Sequence, residues 1–204
     1  MNRFLIAGGV CALLALTGCT TMGSGPSDEE VAQTLKSSFR ERGIARLDRL
    51  DQSEMQKACS AARGTPPAAL AERLEKAALA AVVYPSDGKY LGDWREGEKI
   101  AQSGRGLQYS DDEKTVSGGN CYACHQLSKA ELAFGNIGPS LYNYGKLRGN
   151  SEAVMKYTWA KIWNAHSFSA CSQMPRFGDA GILTQKQLRD VMALLLDPAS
   201  PVNR

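Results

Sequence analysis

Asn120-Cys121-Tyr122-Ala123-Cys124-His125-Gln126 places two thiols three positions apart with an imidazole directly after the second, the attachment spacing of c-type haem. Cys121 and Cys124 can each capture a porphyrin vinyl group as a thioether, and the short tether then holds His125 beneath the ring as an axial iron ligand. Two other chemistries use paired cysteines. A zinc site needs two further ligands at ribbon or finger spacing, and none follow. A thioredoxin-type disulfide belongs at a strand-to-helix turn inside a βαβ pattern and has no use for the adjacent histidine. The expectation is one covalently bound haem c with His125 on the iron.

The surrounding chain is compatible with a folded carrier for such a group. Its 204 residues are 22% charged and 43% hydrophobic, which is ordinary for a globular protein. The formal net charge is +3 and the basic residues are scattered, so nucleic acid is not an expected partner. No stretch reaches the roughly 18 to 20 apolar residues of a membrane span.

The first residues read as an export signal: Arg3, an apolar run from Phe4 to Leu16, then Leu16-Thr17-Gly18-Cys19. This end resembles a bacterial lipobox, which implies cleavage before Cys19 and a lipid on its thiol; a simple secretory peptide cut nearby is the other reading. Either route leads to the periplasm, where c-type haem is attached. Cysteine usage can then be assigned. Of six cysteines, Cys11 leaves with the signal, Cys19 is the lipid candidate, and Cys121 and Cys124 take the haem. Cys59 and Cys171 remain, and in an oxidising compartment they are expected to form a disulfide rather than a buried reduced pair.

The expected organisation is residues 1–18 as signal peptide of lipoprotein type, 19–26 as tether, 27–88 as a helical extension and 89–204 as the haem domain. Ser27 to Glu30 makes a capping box, and Val31, Leu35 and Phe39 predict a helix running to about Arg42 before Gly43. Leu47 to Ala62 fits a second helical stretch, and Thr65-Pro66 opens a third with Leu70, Leu74, Ala77, Ala78 and Ala81 on one face. This section carries no ligand set or phosphate loop, and its apolar faces are expected to pack on the domain that follows. Asp93 caps a helix in which Gly97, Ile100 and Ala101 share a face, and Gly97 lets another helix approach closely. After the polar Arg105–Gly119 connection and the haem motif comes Asn136-Ile137-Gly138-Pro139, where the Pro139 carbonyl can accept the Nδ1 proton of His125 and turn Nε2 toward iron. Ser151 to about Asn164 predicts a helix carrying Trp159 and Trp163. Thr184 to Gln187 caps a final helix with Leu188, Val191, Met192 and Leu195 inward.

For the sixth iron position the candidates are His166, Met155, Met174 and Met192. Met155 and Met192 sit at helical core spacing, where methionine is usually filler. His166 lies in a Ser-rich turn and is expected at the surface. Met174 lies on an irregular loop stiffened by Pro175, which makes it the favoured ligand opposite His125. His/Met coordination leaves no open iron position and suits electron transfer.

Cys121-Tyr122-Ala123-Cys124-His125, Gly135-Asn136-Ile137-Gly138-Pro139-Ser140-Leu141, Tyr144-Gly145, Arg148 and Met174-Pro175-Arg176-Phe177-Gly178 together resemble SoxX, the monohaem cytochrome subunit of the sulfur-oxidising SoxAX complex. The resemblance covers roughly residues 90 to 197 and leaves out the helical front section and the lipobox. It implies an all-α protein, with a small class I cytochrome c-like haem domain behind an N-terminal helical extension. It also implies a periplasmic heterodimer with a SoxA-type haem subunit, acting as an L-cysteine S-thiosulfotransferase that joins thiosulfate oxidatively to a cysteine of the SoxYZ carrier. This chain would relay the released electrons to an acceptor cytochrome c and hold no catalytic residue. Arg176 and Arg148 are candidates for pairing with haem propionates or drawing in anions. A free-standing periplasmic cytochrome shuttle would use the same haem and ligands, and a haem-based sensor would need an open sixth position.

Overall fold

Helix caps and apolar periodicity predict most of the elements in the computed structural model, which describes residues 25–204. Among the described residues there is no strand, so the fold is all-α. Cys11 and the lipidation candidate Cys19 lie outside the described residues. No helix among the described residues is long and apolar enough to cross a membrane.

The chain forms two units, the first ending at Ser38 and the second running from Phe39 to Arg204. In the first, α1 spans Asp28–Ser38. Its capping box is made as expected: the Glu30 amide donates to Ser27 Oγ at 3.2 Å, and the Ser27 amide donates to a Glu30 carboxylate oxygen at 2.7 Å. The helix does not reach Arg42. Past its end, Arg42 and Ala45 pair backbone to backbone around Gly43, whose φ of +56° turns the chain in a way a helix cannot continue. Val31 and Leu35 of the apolar stripe of α1 are 42% and 37% exposed.

In the second unit the organising contact is between α4 (Trp94–Gln102) and α7 (Gln185–Leu196). Gly97 permits it: a Cβ there would lie 2.1 Å from the Asp190 carbonyl oxygen and 3.0 Å from Leu194 Cβ. The entry to α4 is pinned by the Asp93 amide, which donates to Asp190 Oδ1 at 2.9 Å. Asp190 itself is buried and neutralised by Lys186 at 2.8 Å. Thr184 and Gln187 complete the predicted capping box of α7. The buried side chains of α7, among them Leu188, Val191, Met192 and Leu194, form the main core with Ile100, Leu127 and Ile162; each large one is worth about 1.5–3 kcal/mol.

α6 (Glu152–Trp163) closes that core with Trp159, 1% exposed, whose indole N–H donates to the Val83 carbonyl at 3.0 Å. The short α5 (Tyr144–Arg148) was not apparent from periodicity, because five residues contain too little of it. The chain end is used as a cap. Buried Asn203 donates from Nδ2 to the Leu195 and Asp197 carbonyls at 3.0 and 2.9 Å, answering groups that the end of α7 leaves unpaired.

The front section of this unit holds α2 (Glu54–Ala61), capped by Ser53 and Gln56, and α3 (Ala68–Ala80). They pack on the later chain, as their apolar faces required. Met55 and Leu74 bury against Ala170, with Leu70, Ala71 and the Cys59–Cys171 pair around them.

Candidate functional site

The cysteine motif is built by its own backbone. Asn120 takes a left-handed conformation (φ 45°, ψ 43°) and starts a 3-10 turn at Cys121–Ala123. The His125 amide then donates to the Cys121 carbonyl at 2.9 Å, which sets the imidazole directly after the turn. The following loop folds back over it: Gly135 N donates to Tyr122 O at 2.8 Å, Gly138 N to Cys124 O at 2.9 Å, and Leu141 N to Gln126 O at 2.8 Å.

Two glycines make this fold-back possible. A Cβ on Gly135 would lie 1.9 Å from the Ala123 carbonyl oxygen, and one on Gly138 would lie 2.1 Å from His125 Cε1. Spacing and periodicity do not assign either role, although Gly138 directly precedes Pro139. His125 Nδ1 lies 2.7 Å from the Pro139 carbonyl oxygen, so Nδ1–H is the donor and Nε2 carries the free lone pair. Nε2 has no hydrogen-bond partner among the described residues.

Cys121 and Cys124 are both unpaired, in contrast to Cys59 and Cys171, which form the expected disulfide at 2.04 Å with Cα atoms 5.7 Å apart. Burial pushes the Cys121 thiol up to about 12, so it is a protonated thiol and not a poised thiolate nucleophile. Among the described residues, no three His, Cys, Asp or Glu side chains converge as a metal site.

A carboxylate lies under the motif that sequence reading did not single out. Tyr122 donates its hydroxyl to Glu98 Oε1 at 3.0 Å, and Gln102 donates to the same oxygen at 3.0 Å. Glu98 Oε2 is buried without a partner, and burial raises the acid above its ordinary value. The i, i+4 spacing of Glu98 and Gln102 was the available signal for this pair; nothing in sequence pointed to Tyr122.

Met174 lies on an irregular loop, half-buried against the same core that Cys121 touches. Its amide donates to Ser172 Oγ at 3.3 Å. Downstream, Phe177 is buried and Gly178 sits on the Trp163 indole, where a Cβ would be 2.3 Å from a ring carbon. Met192 is fully buried and Met155 half-buried in the core, as their helical spacing predicted.

His166 corrects an expectation. It is buried rather than at the surface, because α3 packs over the Ala165–Ser167 turn. Its Nε2 lies 3.3 Å from the Ser172 carbonyl, and burial lowers its affinity for a proton. Arg176 pairs with Asp179 at 2.9 Å, and the Arg148 guanidinium lies 6.0 Å from the Tyr144 ring centroid.

No family model matches the chain. Over 155 residues, 75% of its length, it is 40% identical to a protein of Aquifex aeolicus described as an uncharacterized lipoprotein, covering 73% of that protein. Identity at this level across most of both chains means that this protein belongs to the family of that Aquifex aeolicus lipoprotein.

Proposed function

We propose that this protein is an exported, lipid-anchored c-type cytochrome subunit that relays electrons in a SoxAX-type thiosulfate-oxidising complex. The observation that carries the haem assignment is the donor set itself. Two free thiols and an imidazole occupy one short turn, and the imidazole is oriented by a carbonyl at 2.7 Å while its other nitrogen remains unpartnered. Those residues fit a c-type haem: Cys121 and Cys124 would hold it, and His125 and Met174 would ligate its iron. When bound, the group supplies one-electron transfer. The protein's own part is to keep the proton on His125 Nδ1, present Nε2 and a thioether sulfur, and leave substrate no place at the metal.

Lipid attachment at Cys19 draws support from the lipobox and from the lipoprotein description of the Aquifex aeolicus relative. The relay role draws support from the site's content. In the haem reading both motif thiols are taken up as thioethers and no nucleophile is paired with a base, so the bond-forming cysteine chemistry is assigned to a SoxA-type partner. Partner, carrier and substrate rest on the resemblance of the two loop motifs.

The test is co-purification from the native membrane. The expected result is a covalently haem-stained chain with a cysteine-ligated haem partner, reduced by thiosulfate only when that partner and the SoxYZ carrier are present. A chain that binds no such partner and is reduced by general donors is a free-standing shuttle instead. Rapid carbon monoxide binding by the untreated ferrous protein would point to a ligand-binding haem protein.

A further inference from the structure

The helices α2 and α3 carry no ligand of their own, yet they converge on one short segment that leads to Met174. The Ala170 amide donates to Glu75 Oε1 at 2.8 Å across a separation of 95 residues. Met55 and Leu74 bury against Ala170, and Cys59 is bonded to Cys171. α3 covers the turn at Ala165–Ser167, which contains His166. From there the contacts pass down the chain. His166 Nε2 meets the Ser172 carbonyl, and the Ser172 hydroxyl accepts the Met174 amide, each at 3.3 Å.

Met174 follows Cys171 by three residues, a span of at most about 10 Å, so anchoring Cys171 confines where the thioether can go. Packing alone does not supply that restraint. A cavity of about 440 Å³ opens beside the disulfide, with Gln56, His166 and Met174 in its wall, and Gln173 and Pro175 are exposed on either side of the methionine. A loop with solvent at both flanks is the kind that opens locally at low free-energy cost unless something holds it.

We propose that the front section is a brace for the Met174 loop, with the Cys59–Cys171 disulfide and His166 as positioning residues that keep the thioether on the iron. This rests on the reading of Met174 as the sixth ligand. A disulfide that serves global stability alone predicts no effect on ligand exchange in folded protein, whereas the brace predicts a large one.

The experiment uses full-length holoprotein and measures carbon monoxide binding to the ferrous form, which requires the methionine to leave. Ascorbate reduces the iron and leaves the disulfide closed; a phosphine reduces both, and thiol labelling at Cys59 and Cys171 confirms opening. Binding should be about tenfold faster with the disulfide open, within the range of ordinary coupling energies. The Cys59→Ala/Cys171→Ala double variant should match the open form and ignore the phosphine. If that variant does not fold, opening the bridge in finished wild-type protein gives the same readout. His166→Phe should move in the same direction with the bridge intact, and His166→Gln, which keeps a donor, should recover.

Unchanged binding, within about twofold, in labelled and folded protein overturns the brace. Absence of the long-wavelength methionine charge-transfer band in ferric wild type removes the ligand itself, and so overturns the ligand reading and the brace together without any change at the disulfide.

Discussion

The loop around His125 and the loop around Met174 are held by opposite means. His125 is positioned by neighbours in sequence: its own turn, the Gly135 and Gly138 fold-back, and the Pro139 carbonyl 14 residues away. Met174 is held from a distance by a disulfide spanning 112 residues, and only on its downstream side, where Gly178 sits on the Trp163 indole, is the contact as local as that of Pro139. A local arrangement needs little loop-closure entropy and can form early, whereas a long-range one depends on the whole unit being folded. The two proposed iron ligands should therefore fail differently, the histidine only with its motif and the methionine with anything that loosens the front section.

The sharpest break in that comparison is at the motif. Cys121→Ser/Cys124→Ser should abolish covalent haem, read as complete loss of haem staining on a denaturing gel; retention of stain would refute the attachment site. The next effect falls on the other loop. Opening Cys59–Cys171 should cost about 2–5 kcal/mol of global stability, measured as a lower denaturant midpoint. A midpoint that did not move would mean that Glu75 and the Met55–Leu74–Ala170 cluster hold the segment unaided.

Gly138→Ala addresses the local side. Its Cβ would meet the His125 ring, so ring or backbone must move, at a cost of about 1–3 kcal/mol. The disturbance should appear in the reduction potential while the methionine charge-transfer band persists. Loss of the band in this variant would show that the loops are not independent.

The smallest effect is expected at Glu98. Its folded-state affinity for a proton is raised by burial above the ordinary value of 4.5, so the folded protein binds that proton more readily than the unfolded chain. The resulting stability is complete below the ordinary value and is lost as pH rises through the raised one. Glu98→Gln can still accept from Tyr122 and carries no charge. It should be the more stable protein at neutral pH and should lack that slope, as denaturant midpoints taken on both sides of the carboxyl range will show. A wild type whose stability is flat over the same range would place Glu98 in contact with solvent.

Much of this arrangement is legible in residues. Ser27 with Glu30, Asp93, and Thr184 with Gln187 mark three helix starts, and each cap is made. Gly97 announces a close helix approach, and α7 supplies it. Cys59 and Cys171 could be paired by accounting for the other thiols, and Pro139 could be aimed at His125 because a histidine beside a carbonyl-bearing loop needs its tautomer set. Where reading went astray, the decisive partner was distant or the element was short. α1 stops before Arg42 because the chain reverses at Gly43, and a periodic pattern of apolar residues carries no record of that turn. His166 looked like a surface residue because a Ser-rich turn has no burial period, and α3 covers it.

Sequence by itself determined the elements whose causes are local: helix caps, helical periodicity, the thiol and imidazole spacing, and the all-α class. These follow from side chains acting within a few positions of themselves. Only tertiary structure decided that Glu98 lies under Tyr122, that His166 is buried, and that α2 and α3 grip the segment leading to Met174. Those contacts join residues with no fixed spacing along the chain, so nothing in a linear pattern encodes them. They exist because burying the apolar faces of α2 and α3 requires a surface, and the surface available is the one beside the Met174 loop.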